Sequence, residues 1–288
     1  MESFSINGRT KIVGIIGWPV EHTLSPVMQN EAFKALRMNW RYLPFPTKPA
    51  DLPDAIEGVR ALGIRGVNLT IPHKEAAVPL LDELSPAAEA IGAVNTVVVE
   101  PDGRLFGENT DALGFGEDLA AHGVRVSGAR ALVLGAGGAA RAVVYVLASG
   151  GAEVCVLNRS VDRAEALARE MSEKVGAAIC AGGLDEIPAK AGWADMVVNT
   201  TPVGMWPAVD SSPWPEDVRF GKGQVVYDVI YRPQETMLMA HARRCGATAI
   251  GGIGMLVRQG AAAFKLWTGK EPPLAAMEAA VRLSWNNR

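Results

Sequence analysis

Four stretches of the 288-residue chain hold residue types able to do chemistry. Gly135-Ala136-Gly137-Gly138-Ala139 is a glycine turn between two short apolar runs, Ala131–Leu134 and Val154–Leu157. Asn158-Arg159-Ser160, with Arg163 behind it, follows the second run. Asn68-Leu69-Thr70-Ile71-Pro72-His73-Lys74 ends in an amine, and Asn109-Thr110-Asp111 ends in a carboxylate. Glycines in such a turn let backbone N–H groups approach a pyrophosphate with no Cβ in the way, and a helix start behind them adds partial positive charge. The third place of the G-x-G-x-x-G pattern is Ala140, which the G-x-G-x-x-A variant allows. A glycine cluster alone is often only a turn. Here strand, turn, helix and strand follow within about thirty residues, as a dinucleotide-binding βαβ unit requires.

The end of the second strand selects the cofactor. An NAD-specific unit carries an acid there for the ribose hydroxyls. This chain has no carboxylate at that tip until Asp162. Two guanidinium groups, Arg159 and Arg163, and the Ser160 hydroxyl at a helix start suit a 2′-phosphate, because arginine grips phosphate oxygens with a planar fork. The alternative is a solvated basic helix start. The residue types favour NADP(H).

A nicotinamide cofactor implies hydride transfer, and a proton must move as well. Zinc has no ligand set: His22, His73, His122 and His241 form no H-E-x-x-H or comparable cluster, so no metal is expected. A Tyr-x-x-x-Lys pair is absent too, since Tyr42, Tyr145, Tyr227 and Tyr231 are followed four residues on by Pro46, Ser149, Tyr231 and Glu235. Lys74 then leads the candidates, at the carboxyl end of an apolar run, with Asp111 as its natural partner. From spacing alone, a solvated lysine at a helix start is the stronger reading of Lys74.

The elements that must carry these groups read as α/β throughout. Lys11–Gly17 is a glycine-ended strand. Ser25 is placed as an N-cap with Pro26 in the first turn, opening a helix to about Arg37. Arg41–Phe45 is a strand, Ala50–Leu62 an amphipathic helix, and Ile64–Ile71 a strand with Asn68 and Thr70 near its end. Pro72-His73-Lys74 is expected to open a helix. Ala93–Glu100 and Arg104–Phe106 flank Pro101-Asp102-Gly103, a hairpin signal, and a helix to about His122 follows Asp111. After the glycine unit, with its helix Ala139–Ser149, come strands at Ala177–Cys180, Asp195–Asn199, Val225–Ile230 and Ala247–Ile250, with a helix at Thr236–Cys245. Thr200–Met205 is a loop at a strand end, where open α/β sheets bind ligands. Helices Met255–Trp267 and Pro272–Trp285 close the chain. The organisation expected is an N-terminal mixed α/β domain (1–112), a Rossmann-type NADP-binding domain (113–250), and C-terminal helices (251–288) packing back on the first domain, with a cleft between the two domains.

Composition narrows the class. Hydrophobic residues make up 49% and charged residues 20%, enough for a full core. A net charge of −3 gives no reason to expect nucleic acid or an acidic membrane as partner. The polar start Met1–Thr10 does not read as a signal peptide, and no apolar run reaches a membrane span. Cys155, Cys180 and Cys245 are an odd count with no C-x-x-C. That argues for a reducing cytoplasm, with Cys155 and Cys180 as small buried hydrophobes.

The ordered motifs resemble the shikimate dehydrogenase family. His22-Thr23-Leu24-Ser25-Pro26 resembles the family's Ser-x-Ser-Pro substrate loop, and Asn68–Lys74 its Asn-Val-Thr-x-Pro-x-Lys block. Gly92-Ala93-Val94-Asn95-Thr96, Asn109-Thr110-Asp111, the glycine turn, Asn158-Arg159-Ser160, Tyr227-Asp228-Val229-Ile230-Tyr231 and Gly254-Met255-Leu256-Val257-Arg258-Gln259 follow in the family's order. The resemblance implies reversible NADPH-dependent reduction of 3-dehydroshikimate to shikimate in aromatic amino-acid (chorismate) biosynthesis, in the cytoplasm, by a monomer or homodimer. It implies Lys74 and Asp111 as the catalytic pair. Thr23 and Ser25 would hold the substrate carboxylate with Tyr231 nearby, and Asn68, Thr70, Asn95 and Gln259 the ring hydroxyls. Gly135, Ala136, Gly137, Gly138, Ala139, Asn158, Arg159, Ser160, Arg163, Val229 and Gly252 would line the NADP site. Two departures stand out: Thr23 adds a methyl where the family has serine, and Gln29 stands where many relatives have histidine. A quinate/shikimate dehydrogenase and a non-catalytic NADP(H)-binding sensor are the alternatives, and the intact Lys74, Asp111 and Asn95 argue against the sensor.

Overall fold

The computed structural model describes residues 6–284. They fall into two compact units. One is the chain up to Gly114 together with the part from Val257 onward, and the other is Phe115–Leu256.

The first unit holds β1 (Lys11–Gly17), β2 (Trp40–Pro46), β3 (Gly66–Leu69), β4 (Glu83–Leu84), β5 (Thr96–Val99) and β6 (Leu105–Glu108) in the order β2-β1-β3-β5-β6-β4. The sheet is mixed. The β1–β2, β1–β3 and β4–β6 pairings are parallel, and β5 runs antiparallel to both β3 and β6. Helices α1 (Ser25–Ala35), α2 (Leu52–Ala61) and α3 (Pro86–Ile91) belong to this unit, and α4 (Thr110–Ala121) begins in it. The apolar stripe of α2, Leu52, Ile56 and Val59, packs on Ile16, Val67, Leu69 and Val97 of the sheet. Each such side chain contributes about 1.5–3 kcal/mol through burial.

The second unit is a fully parallel sheet of β7 (Arg130–Leu134), β8 (Glu153–Asn158), β9 (Ile179–Gly183), β10 (Met196–Asn199), β11 (Val225–Asp228) and β12 (Thr248–Gly251), in the order β12-β11-β10-β7-β8-β9. Helices α5 (Gly138–Ser149), α6 (Val161–Val175), α7 (Ile187–Lys190) and α8 (Met237–Cys245) connect the strands. In β7, Ala131 and Val133 join one hydrophobic cluster while Leu132 and Leu134 join another. Both faces are covered, which is why the strand reads as an unbroken apolar run. Two more helices end the described chain, α9 (Ile253–Thr268) and α10 (Leu274–Leu283). Trp285, the expected end of the last helix, lies outside the described residues, as do Met1–Ser5 of the polar start. Among the described residues no helix is long and apolar enough to cross a membrane.

Several local expectations are corrected. Pro72-His73-Lys74 does not open an α-helix; turns lead to a short 3-10 segment, Val78–Leu80. The Lys74 carbonyl accepts from the Val94 N–H at 2.8 Å, so it is engaged across the chain, and the buried His73 ring bonds the Thr47 carbonyl. Strand β3 ends at Leu69, leaving Thr70 just beyond it. Strand β9 lies at Ile179–Gly183, about two residues later than expected at its start. Helix α3, capped by Ser85 accepting from the Ala88 N–H at 3.0 Å, and the two-residue strand β4 were not anticipated; both are too short for a periodic signal.

The cysteine reading is also overturned. Cys155 and Cys180 are not separate buried thiols but form a disulfide. The parallel register of β8 and β9 sets them opposite each other, with Cα atoms 4.5 Å apart. Cys155 is wholly buried and Cys180 exposed. The cysteine count therefore carries no argument for a reducing compartment. Cys245 is a free thiol.

Candidate active site

Strand ends meet at one edge of the first sheet. Because β1 and β3 are parallel neighbours, the loop holding Thr23 and Ser25 and the segment Asn68–Lys74 leave the sheet on the same side. Because β5 runs antiparallel to β3 and β6, its start meets the ends of both, with Asn68 paired to Thr96 and Thr96 to Glu108. This places Asn95, just before β5, beside Asp111, just after β6.

Lys74 Nζ lies 2.5 Å from Asp111 Oδ2, and both side chains are mostly shielded from water. The other carboxylate oxygen, Oδ1, accepts from Asn95 Nδ2 at 2.9 Å. Asn95 is itself held, since its Oδ1 accepts from the Thr110 N–H at 2.7 Å and from the hydroxyls of Thr110 and Thr96 at 3.1 and 3.2 Å. Asp111 sits in the first turn of α4, where the helix start favours negative charge. The carboxylate is thus held on two sides, by the Lys74 amine and the Asn95 amide, and Lys74 sits on a turn whose carbonyl is bonded by the Val94 N–H.

Asn68 Nδ2 donates to the Asn95 carbonyl and to Thr96 Oγ1, both at 3.0 Å. Both its amide protons are therefore used inside the protein, and Oδ1, which accepts from the Tyr42 hydroxyl at 2.8 Å, keeps one lone pair. The sequence reading passed over Tyr42. Its signal was available: a tyrosine facing inward from a strand needs a partner for its hydroxyl.

Ser25 is not the N-cap of α1. Leu24 occupies that place and gives no side-chain cap. Thr23 Oγ1 accepts the Ser25 N–H at 3.3 Å and donates to Ser25 Oγ at 3.2 Å. The threonine does the local backbone work, and the two hydroxyls are brought together. Gln259 is buried on α9. Tyr231 follows the end of β11 in the second unit, and Gln259 and the other substrate candidates lie in the first.

In the second unit the chain leaves β7 through Gly135, at φ +110°, where a Cβ would stand 2.5 Å from Thr200 Oγ1; only glycine suits this turn. Gly137 is the N-cap of α5 and gives no side-chain cap, and a Cβ there would meet nothing within 4 Å. No side chain caps the first N–H groups of α5, and an uncapped helix start suits a phosphate group. Arg159, Ser160 and Arg163 are exposed, and an Arg163 guanidinium nitrogen lies 3.4 Å from the Ala136 carbonyl oxygen. Asn158 Nδ2 donates to the Ser160 carbonyl at 3.0 Å, shaping the turn. Gly252 packs directly on Val229, where a Cβ would lie 2.1 Å from its carbonyl oxygen. Glycine turn, uncapped helix start and two exposed arginines fit a dinucleotide with an added phosphate. Among the described residues, no group of three or more His, Cys, Asp or Glu is placed to hold a metal.

Below the loops that follow β10 and β11 lies Asp228, wholly buried. Its Oδ1 accepts from Asn199 Nδ2 at 3.0 Å and from the Ile230 N–H at 3.1 Å, and its Oδ2 accepts from the Thr236 hydroxyl at 2.7 Å. Burial outweighs these donors and pushes its carboxyl up to about 6. A folded-state value above the unfolded one contributes stability that is complete below about pH 4 and is lost as pH rises through about 6. The amount is on the order of 3 kcal/mol. Asp228→Asn has nothing to ionise. In urea unfolding, the stability of the unmutated protein relative to this variant should fall by that order between about pH 4 and 7. A flat difference would mean that the Asp228 carboxyl titrates as it does in the unfolded chain.

Comparison with known proteins follows the same lines. A family model described as shikimate dehydrogenase substrate binding domain matches residues 15–97. One described as shikimate / quinate 5-dehydrogenase matches 118–203, and a shikimate 5'-dehydrogenase C-terminal domain matches 252–282. The shikimate dehydrogenase (NADP(+)) of Methanothermobacter thermautotrophicus is 46% identical over 278 residues, covering 96% of this chain and 98% of the relative. A crystal structure of a shikimate dehydrogenase in complex with NADP+ has a TM-score of 0.90 at 41% identity, covering 97% of both chains. The shikimate 5-dehydrogenase of Thermus thermophilus, solved with NADP(H) and shikimate, has a TM-score of 0.85 at 42% identity, covering 95% of this chain and 99% of that one. With near-complete coverage by sequence and by fold, the chain belongs to the shikimate dehydrogenase family.

Proposed function

We propose that this chain catalyses the reversible NADPH-dependent reduction of 3-dehydroshikimate to shikimate, with its first unit binding the substrate and its second the cofactor. The observation that carries the reading is the shielded Lys74–Asp111 pair, 2.5 Å apart and braced by Asn95. NADPH, when bound, would supply a hydride for the carbonyl carbon. Lys74 gives a proton to the oxygen as it becomes an alkoxide, and in the oxidation direction it takes that proton from the hydroxyl. Asp111 holds the amine in place and balances its charge. The Thr23 and Ser25 hydroxyls, with Tyr231, hold the substrate carboxylate. Asn68, through its remaining lone pair, and Thr70, Asn95 and Gln259 bond the ring hydroxyls. Gly135–Ala139, Val229 and Gly252 line the NADP site. Arg159 and Arg163, with Asn158 and Ser160, take the 2′-phosphate. On the family resemblance we read the enzyme as cytoplasmic, and we propose a monomer or homodimer that acts on small molecules. The test is a spectrophotometric assay of shikimate and quinate, each with NADP+ and NAD+. No turnover of either acid with either cofactor would leave the non-catalytic sensor as the reading.

The substrate choice turns on Thr23. Quinate carries a hydroxyl on the carbon that bears the carboxylate, and shikimate is flat there. The Thr23 methyl, beside a hydroxyl already tied to Ser25, leaves no more room for that group than serine does. Shikimate should therefore be preferred by kcat/KM. Thr23→Ser keeps the hydroxyl and removes one methyl, so KM should change by about fourfold or less, with kcat similar. A preference of the unmutated enzyme for quinate would make it a quinate dehydrogenase instead.

A further inference from the structure

The buried face of α1 carries an amide that the site described above does not use. Gln29 lies one helical turn beyond Ser25 and has no exposure to solvent. Its Nε2 donates to the Gly260 carbonyl at 2.7 Å. A carbonyl oxygen only accepts, so the amide nitrogen is the end that must face it. The other end, Oε1, is buried and has no hydrogen-bond partner. Gly260 follows Gln259 on α9. A Cβ at Gly260 would lie 2.1 Å from Cε at the tip of the Met28 side chain and 3.3 Å from Gln29 Nε2, so these two side chains of α1 fill the space against α9 here. One turn further along both helices, the rings of Phe33 and Phe264 stack with centroids 5.2 Å apart.

Packing does not account for the amide. A methionine has much the same length and would fill the place without an orphaned oxygen, and unpaired buried acceptors are rare because they destabilise the fold. What the amide adds is direction. Apolar faces of two helices can slide on one another, whereas a donor aimed at one carbonyl sets a register between them. That register joins two sets of proposed substrate contacts, the Thr23 and Ser25 hydroxyls at the start of α1 and the Gln259 side chain on α9.

We propose that Gln29 is a positioning residue of the substrate site, which sets, through the Gly260 carbonyl, the separation between the Thr23–Ser25 hydroxyls and Gln259. This rests on the substrate roles proposed above. The test is steady-state kinetics of the full chain with shikimate and NADP+, together with the melting temperature. Gln29→Met should raise KM for shikimate about tenfold, the loss of one aligned hydrogen bond. KM for NADP+ should stay within about twofold, and kcat should fall by less than KM rises. Gln29→His, whose ring N–H can reach a carbonyl, should bring KM back to within about threefold. Gln29→Leu, which also lacks the donor, should give the same selective rise, and it decides the matter if Gln29→Met does not fold. An unchanged KM for shikimate, or equal rises for shikimate and NADP+, would overturn the proposal and make Gln29 a packing residue. An unmutated enzyme that does not oxidise shikimate would remove the proposed function and this inference together. Normal turnover in the unmutated enzyme with unaltered variants removes the inference alone.

Discussion

Replacing Lys74 by alanine should lower kcat for shikimate by at least about a hundredfold while KM moves less. The low end of general acid–base catalysis is of that size. The amine matters most where alkoxide charge is fully developed, so its loss falls on the transition state more than on the ground state. Lys74 Nζ is the partner of Asp111 Oδ2, and the opposite oxygen is held by Asn95. Removing the amine therefore leaves a shielded carboxylate without its counter-charge, which itself destabilises the fold. The melting temperature should be measured beside the rates, and Lys74→Met, which keeps the aliphatic stem, serves as the second variant. Asp111→Asn should also cut kcat, because its amide would set a donor against either Lys74 or Asn95. It should leave NADP+ binding unchanged. Near-normal kcat in a folded Lys74→Ala variant would show the assignment to be wrong, and Tyr231 would be the next residue to replace.

Replacing Arg159 by aspartate should weaken NADP+ binding by about tenfold to more than a hundredfold, with NAD+ much less affected. A charge-assisted hydrogen bond to phosphate is worth roughly 1.5–3 kcal/mol, and the new carboxylate repels the same group. Arg159 and Arg163 are exposed at the end of β8 and the start of α6, so the loss should shrink as salt is raised. Calorimetric titration of both cofactors at two ionic strengths would measure this. Equal affinities for NADP+ and NAD+ in the unmutated protein would refute the reading of this corner.

The cofactor unit was legible from local sequence. The run Ala131–Leu134, the glycines behind it, the helix to Ser149 and the run to Leu157 are contiguous, and each carries its own signal: burial on two faces, a turn no other residue suits, a helix with no breaker. All appear as β7, the Gly135 turn, α5 and β8. The hairpin at Pro101-Asp102-Gly103 was legible for the same reason, and Gly103 has the positive φ of 88° that the turn needs. The substrate-side residues were named largely through family resemblance, because the spacing of Lys74 alone favoured a solvated helix start.

Strand pairing settled what local signals could not. Cys155 and Cys180 are 25 residues apart in sequence and neighbours only because β8 and β9 align in register. Ser25 has the residue type of a cap, yet Thr23 takes its N–H, since the loop leaving β1 brings that hydroxyl first. Lys74 leaves the helical path because its carbonyl meets Val94 across the sheet edge. Tyr42 on β2 reaches Asn68 only because β1 lies between β2 and β3 in one sheet. Propensity and periodicity describe a residue's neighbours along the chain, and these choices were made by hydrogen-bond partners and side chains from distant segments, which a single sequence does not align.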